Sequence, residues 1–419
     1  MIISFLILGG FKQNIREKIF SFGGHLQVKK FTFNGSYEEE PISSNNELVR
    51  TAGNLDFIEH IQPFTRKPGL LKANEEIHGV LFKGIDKNFD FDRFEPNMAE
   101  GRMPDFSDST NVLEVVLSTK IANKLLLKTN DDVLAYYFQD PVRVRKLKIV
   151  GLYSTGMEDF DDKIVFGDLR LLQKLNGWPK DLVGGYEIYI NDFTRLDEAR
   201  YILDENVLEP NLFIEKITEL YMEIFDWMQL LDTNVVLLTV IIMIVASINM
   251  ISILLILIME RTQMIGLLKA IGATNKQIRK IFMLNGIHLV FRGMVVGNVF
   301  GLSLAAFQHY SKLIKLDPEN YYMSFVPIQW DWSISHWNLN YLGDLAIFYL
   351  KAITFKFQPV DDFLMSIKPN YNFFDQLFGH TIDTLIFLNF NIILIVTLIF
   401  LIPTHIISNI NPIKSIKFD

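Results

Sequence analysis

The chain has 419 residues, 49% of them hydrophobic, a net charge of −8 and no cysteine. That balance is too apolar for an ordinary soluble protein and too polar for a channel with little outside the bilayer; a few spans plus a sizeable folded domain are expected. The acidic charge without a long basic tract argues against nucleic acid as a partner, and the missing cysteine excludes disulfides, thiolate metal sites and a lipobox.

The first nine residues, Met1 to Gly9, are apolar but reach only about half a bilayer at ~1.5 Å per residue. They lack the basic start and small-residue cleavage site of a signal peptide. They are read as the later half of a first span.

Between His25 and Trp227 the pattern changes. Short runs rich in β-branched or aromatic residues predict strands at Leu26 to Phe33, Gly79 to Ile85, Val112 to Leu117, Asp132 to Phe138, Val142 to Leu152 and Tyr186 to Ile190. Helical spacing predicts helices at Ser44 to His60, Thr119 to Leu126, Gly167 to Leu175 and Leu196 to Glu205. The mixture reads as α+β. Leu212, Ile217, Leu220, Ile224 and Met228 recur at helical spacing and predict one long helix over Glu209 to Leu231, entering the second span.

Enzymatic chemistry finds little support. The sequence has no Walker A pattern, no Gly-x-Ser-x-Gly elbow, no Ser-x-x-Lys and no HExxH, and its eight histidines are scattered. Glu158, Asp159, Asp161 and Asp162 cluster on an expected turn, where a solvated loop is a simpler account than a cation or partner site. Glu38 to Glu40 reads as surface charge.

A helix needs about 20 apolar residues to cross the hydrocarbon core. Thr233 to Met259 meets this without a charge, Ile281 to Gln308 meets it with the single intrusion of Arg292, and Thr384 to Ile402, closed by Pro403, forms a short last span. The segment between the first two of these carries Arg261, Lys269, Lys276, Arg279 and Lys280 against Glu260, and the tail carries Lys414 and Lys417 against Asp419. The positive-inside rule makes both cytoplasmic and puts the α+β domain on the other side.

The basic connector has internal structure of its own. Met264, Leu267, Leu268 and Ile271 fall on one helical face. Gly272 stands where a helix would end in a left-handed residue, Thr274 offers an N-cap, and Gln277 holds the third position of a capping box. A helix that stops at Gly272 and restarts at Thr274 is expected; the alternative is an amphipathic helix lying on the membrane surface. In the next span Gly293, Gly297, Gly301 and Ala305 recur every four residues, a flat ridge suited to helix packing within the chain or between two chains. Arg292 beside it is a functional residue or one that snorkels or pairs at a helix interface.

The run Glu260-Arg-Thr-Gln-Met-Ile-Gly-Leu-Leu-Lys-Ala-Ile-Gly-Ala273 resembles the cytoplasmic coupling segment of the FtsX/MacB-type permease superfamily of ABC transporters. Gly10 to Gln27 is similar to that family's passage into the periplasm, Asn411 to Asp419 to its Pro-anchored end, and Glu100-Gly-Arg-Met-Pro104 and the Ser118 to Leu126 helix to its external domain. Within the superfamily the likeness is greatest to the lipoprotein-releasing permeases LolC and LolE. The segment from Ser333 to Asp383, with an amphipathic run from Leu342 to Phe357, departs from the family pattern.

The resemblance implies a four-span bacterial inner-membrane protein with its large domain in the periplasm. Its parts would be 1–24, a partial first span and its extension; 25–227, the periplasmic α+β domain; 228–259, the second span; 260–280, the coupling hairpin; 281–309, the third span; 310–383, an external loop with the insertion; 384–403, the fourth span; and 404–419, the tail. It places ATPase coupling on Glu260, Arg261, Ile265, Gly266, Leu268, Lys269, Ala270, Gly272 and Ala273. It implies no cofactor on this chain, with ATP and Mg on a separate P-loop ATPase subunit, and as partners that ATPase, a second permease copy or paralogue, lipoprotein cargo, a periplasmic carrier and membrane lipid. A MacB-like efflux permease and an FtsX-like regulatory permease without cargo are the alternatives.

Overall fold

The computed structural model describes residues 1–32, 39–52, 55–107, 113–206, 209, 211–332 and 381–399. The tail from 400 onward and most of the unmatched insertion, including its amphipathic run, lie outside the described residues. The chain opens with helix α1 (Ile2–Gly23) and strands β1 (Leu26–Lys30) and β2 (Ile42–Ser43), followed by α2 (Glu47–Ala52), β3 (Ile58–Ala73) and β4 (Glu76–Ile85). Next come α3 (Phe91–Phe94), β5 (Met98–Gly101), β6 (Glu114–Ser118), α4 (Thr119–Lys124), β7 (Asp132–Tyr137) and β8 (Arg143–Tyr153). The domain continues through α5 (Glu158–Asp161), β9 (Ile164–Asp168), α6 (Leu169–Asn176), β10 (Leu182–Val183), β11 (Gly185–Ile190), α7 (Leu196–Asn206), β12 (Leu212–Lys216) and α8 (Ile217–Leu220). The last helices are α9 (Met222–Glu260), α10 (Thr262–Ala270), α11 (Asn275–Ser311), α12 (Pro318–Tyr321) and α13 (Thr381–Ile399).

Two compact units divide these elements, one holding Asn14–Phe225 and Lys315–Phe325, the other Met1–Gln13, Asp226–Ile314 and the segment from Val326 onward. The first is α+β. Nine of its strands run in the order β12-β1-β11-β3-β4-β9-β6-β8-β5, with β7 joining both β3 and β8. Strand β3 spans two parts of this sheet: Ile58 to Phe64 pairs with β11, and Thr65 to Ala73 pairs with β4. Pro63 falls where only β11 is paired and Pro68 falls before the β7 pairing begins at Leu70, so each missing N–H faces an open edge. Two cores result. Leu71, Phe82, Leu117, Val133, Tyr137, Leu147 and their neighbours pack under α4 and α6, while Leu26, Val28, Ile188, Leu203 and Ile214 pack under α7.

Two expected helices are corrected here. Among the described residues of the Ser44 to His60 segment only Glu47–Ala52 is helical, and His60 lies inside β3. The long helix from Glu209 is broken: Leu212 to Lys216 forms β12 against β1, with Ile214 buried, and Tyr221 separates α8 from α9. A five-residue strand with Ile214 buried at its centre, followed by a short helix, happens to reproduce helical spacing. The other strands and helices expected between Leu26 and Glu205 stand within a few residues of the observed bounds, while the helices over the second and third expected spans begin earlier, at Met222 and Asn275.

In the other unit, α9 and α11 are long and apolar enough to cross a membrane, with 39 and 37 residues. The apolar opening of the chain forms the start of α1, an uninterrupted helix of 22 residues. Lys12 of α1 reaches Asp232 of α9 at 2.9 Å, and the Phe11 and Trp227 rings meet edge to face at 5.6 Å. Helix α13 lies against α11, where Asn298 Nδ2 donates to Asn389 Oδ1 at 2.9 Å.

Candidate functional site

The connector between α9 and α11 is a helical hairpin closed by two capping motifs in direct succession. At the end of α10, Gly272 takes φ +104°. Its N–H donates to Lys269 O at 3.1 Å, and the Ala273 N–H donates to Leu268 O at 2.9 Å. These are the two bonds of a Schellman termination. Thr274 then caps α11: its N–H donates to Gln277 Oε1 at 2.8 Å, and the Gln277 N–H donates back to Thr274 Oγ1 at 3.4 Å. Four residues, Ile271 to Thr274, separate α10 from α11, and the two helix ends are capped in turn.

A small apolar core holds the two arms together. Ile258, Ile265, Ile278 and Phe282 are buried, with Leu257, Leu268 and Ala273 packed against them. Of the residues expected to couple, Ile265 and Gly266 therefore point inward, Leu268 and Lys269 are partly covered, and Glu260, Arg261, Ala270 and Gly272 are exposed. Met264, Leu267 and Ile271 leave the outer face of α10 apolar and open, with Leu267 57% and Ile271 77% exposed. Arg261, Lys276 and Lys280 of the same hairpin are exposed as well. The hairpin is thus a capped knob with an apolar outer face, and it also carries exposed basic residues.

The glycine ridge of α11 divides into two halves. A side chain at Gly301 would meet Ile3 of α1 at 4.0 Å, and Ala305 is buried with Leu6 and Ile328. Gly293 and Gly297 have open space where a side chain would be. The later half packs within the chain, and the earlier half presents a smooth surface.

In the α+β unit the structure reveals a polar joint with no local pattern to announce it. Three backbone carbonyls at the end of α1 are taken by side chains from elsewhere: Phe20 O by the Tyr189 hydroxyl at 3.0 Å, Phe22 O by Lys83 Nζ, and Gly23 O by Gln27 Nε2 at 3.2 Å. Lys83 also pairs with Glu187 at 2.7 Å, and Gln62 Nε2 donates to the same carboxylate at 2.8 Å. Both charged groups are buried. Burial pushes the Lys83 ammonium down from its usual range, and Glu187 pulls it back up. Gly24, at φ +65°, lets the chain turn from α1 into β1.

The acidic cluster is accounted for within the domain. Glu158, Asp159 and Asp162 pair with Lys120, Lys163 and Lys124, and Asp161 turns inward to accept from the Thr155 and Gly156 amides at 3.1 and 2.9 Å. Burial raises the Asp161 carboxyl, and the Thr155 hydroxyl and these amides oppose that shift.

Residues 236–412, which contain the hairpin, the ridge and the last helix, match the family described as FtsX-like permease C-terminal, so the chain carries an FtsX-like permease domain. Over most of its length it is similar to curated lipoprotein-releasing transmembrane proteins. It is 21% identical to LolC of Neisseria meningitidis serogroup B, covering 83% of each chain, and 21% identical to LolE of Haemophilus influenzae, covering 73% of this chain and 74% of that one. Among solved structures, the periplasmic region of MacB from Actinobacillus actinomycetemcomitans matches 51% of this chain and 97% of its own, at 16% identity and a TM-score of 0.35.

Proposed function

We propose that this chain is the transmembrane permease subunit of an ABC transporter of the LolC/LolE type, anchored in the bacterial inner membrane with its α+β unit in the periplasm. It extracts lipoproteins from that membrane towards a periplasmic carrier, driven by a separate P-loop ATPase that binds ATP and Mg. The exposed apolar face of α10 carries this reading. Met264, Leu267 and Ile271 stand on α10 and its C-terminal end, next to the turn fixed by paired caps, within the segment that matches the FtsX-like permeases. An apolar face of this kind needs a partner, and the exposed basic residues of the hairpin match an acidic rim. ATP-driven closure of the ATPase would displace the knob and the helices that continue from its two arms. The names of the relatives support the cargo assignment. A second permease copy or a paralogue completes the complex.

Co-purification from membranes tests the proposal. The full chain should bring down a P-loop ATPase and a lipoprotein. Leu267→Glu should lose the ATPase, while Leu126→Glu, on an exposed leucine of the α+β unit, should keep it. Capture of an ATPase and an outer-membrane efflux duct without any lipoprotein would replace lipoprotein release by efflux. No ATPase in any preparation would end the transporter reading.

A further inference from the structure

Between α9 and α11 lies a cavity of about 170 Å³, several times the ~30 Å³ share of one water. One wall is apolar, formed by Met250, Ile253, Leu254 and Leu257 of α9. The other wall carries Asn285, His288 and Arg292 of α11. Their spacing of three and four places all three on one helix face, along about 10 Å of axis. Helical side chains lean towards the N-terminus, so Arg292 extends towards His288 and the basic start of α11. Among the described residues none of these three side chains has a hydrogen-bond or ion-pair partner. Neither α9 between Thr233 and Met259 nor any part of α11 contains an acidic residue.

A guanidinium in such a setting requires an anion, because an unpaired charge in a low-dielectric environment is strongly disfavoured. The lipid phase supplies one chemistry that fits both walls, an anionic phosphodiester with acyl chains attached. We propose that this cavity binds an anionic phospholipid. Arg292 takes the phosphate, His288 and Asn285 donate to the headgroup, and an acyl chain lies along Ile253, Leu254 and Leu257. The planar guanidinium suits two phosphate oxygens at once, a geometry that the lysine ammonium does not offer. The site rests on the reading of α9 and α11 as membrane helices. It does not depend on the cargo or the ATPase.

The test uses the full chain purified alone in mild detergent, with phosphatidylglycerol or phosphatidylcholine added and bound lipid counted by native mass spectrometry. Wild type should retain phosphatidylglycerol over phosphatidylcholine by about tenfold or more, ~1.4 kcal/mol of discrimination. Arg292→Gln should abolish that preference, Arg292→Lys should keep part of it, and Lys276→Gln, on the exposed start of α11, should leave it intact. Equal retention of the two lipids by wild type would overturn the proposal, as would an undiminished preference in Arg292→Gln. A variant whose lipid binding is unchanged but which loses a second permease chain would assign Arg292 to a protein contact instead. ATPase capture, measured in parallel, reports separately on the transporter reading, so either can fail alone.

Discussion

Thr274 and Gln277 cap one another: the Thr274 N–H donates to the Gln277 side chain at 2.8 Å while its hydroxyl accepts from the Gln277 N–H at 3.4 Å. The reciprocal pair begins α11 one residue after the Schellman bonds close α10. Capping on both sides leaves few helix-end groups unpaired at the turn, which fits the coupling role proposed for its apolar face. The same pair of motifs predicts where the connector can be weakened without unfolding the chain.

Gly272→Val should uncouple hydrolysis from transport. No atom lies within 4 Å of the position a side chain would occupy, so the variant is opposed by backbone conformation alone. Holding a β-branched residue at φ +104° costs on the order of 1–2 kcal/mol, enough to reshape the turn and too little to unfold the protein. In reconstituted vesicles ATP hydrolysis should persist while lipoprotein release falls severalfold. Wild-type release in this variant would show that the turn geometry is dispensable.

Thr274→Ala should loosen the first turn of α11 by about 0.5–2 kcal/mol, the usual loss of an N-cap, and Thr274→Ser should restore it. Hydrogen exchange at the amide of Gln277 reads this directly. Faster exchange in the alanine variant, recovered by serine, is the expected outcome; equal protection in all three would remove the cap from the account of the hairpin.

The hairpin is legible in the sequence because its signals are local: Gly272, Thr274 and Gln277 lie within six residues and each acts on its own backbone neighbourhood. Strand β3 is not. Its two prolines and its basic residues obscure the pattern, and Gln62 and Lys67 sit buried where alternation calls for apolar side chains. The joint at the end of α1 is hidden for a different reason. Lys83 and Glu187 stand 104 residues apart, and each alone looks like an ordinary surface charge. Likewise, Met264, Leu267 and Ile271 share a face by spacing, but only the packing of Ile265 against Ile278 and Phe282 shows that this face is the open one.

Lys83→Met should destabilise the α+β unit far more than its size suggests. It leaves the Glu187 carboxylate buried without its cation, a loss of about 3–5 kcal/mol for a broken buried pair. The double variant Lys83→Met with Glu187→Leu should recover most of that loss, since two apolar side chains of similar volume leave no stranded charge. Urea unfolding of the full chain in detergent measures both. A double variant no more stable than the single one would assign the effect to the lost bond from Lys83 to Phe22 O instead.

His25 makes the same unit sensitive to acid. Its Nδ1 accepts from the Ile190 N–H at 2.9 Å, and its ring lies against Phe20, Tyr189 and Phe193. Burial, with the nearby Arg93 charge, pushes its pKa down to about 3. The unfolded chain, with an ordinary histidine pKa of ~6.5, therefore binds more protons than the folded one between about pH 3 and 6.5. Stability rises with pH across that window, and this residue alone should remove ~2 kcal/mol between pH 7 and pH 5. His25→Gln, whose side-chain carbonyl can still accept from Ile190, carries no titrating ring. Urea midpoints of wild type should fall further than those of the variant over this range, and parallel slopes would mean that His25 ionises inside the folded domain.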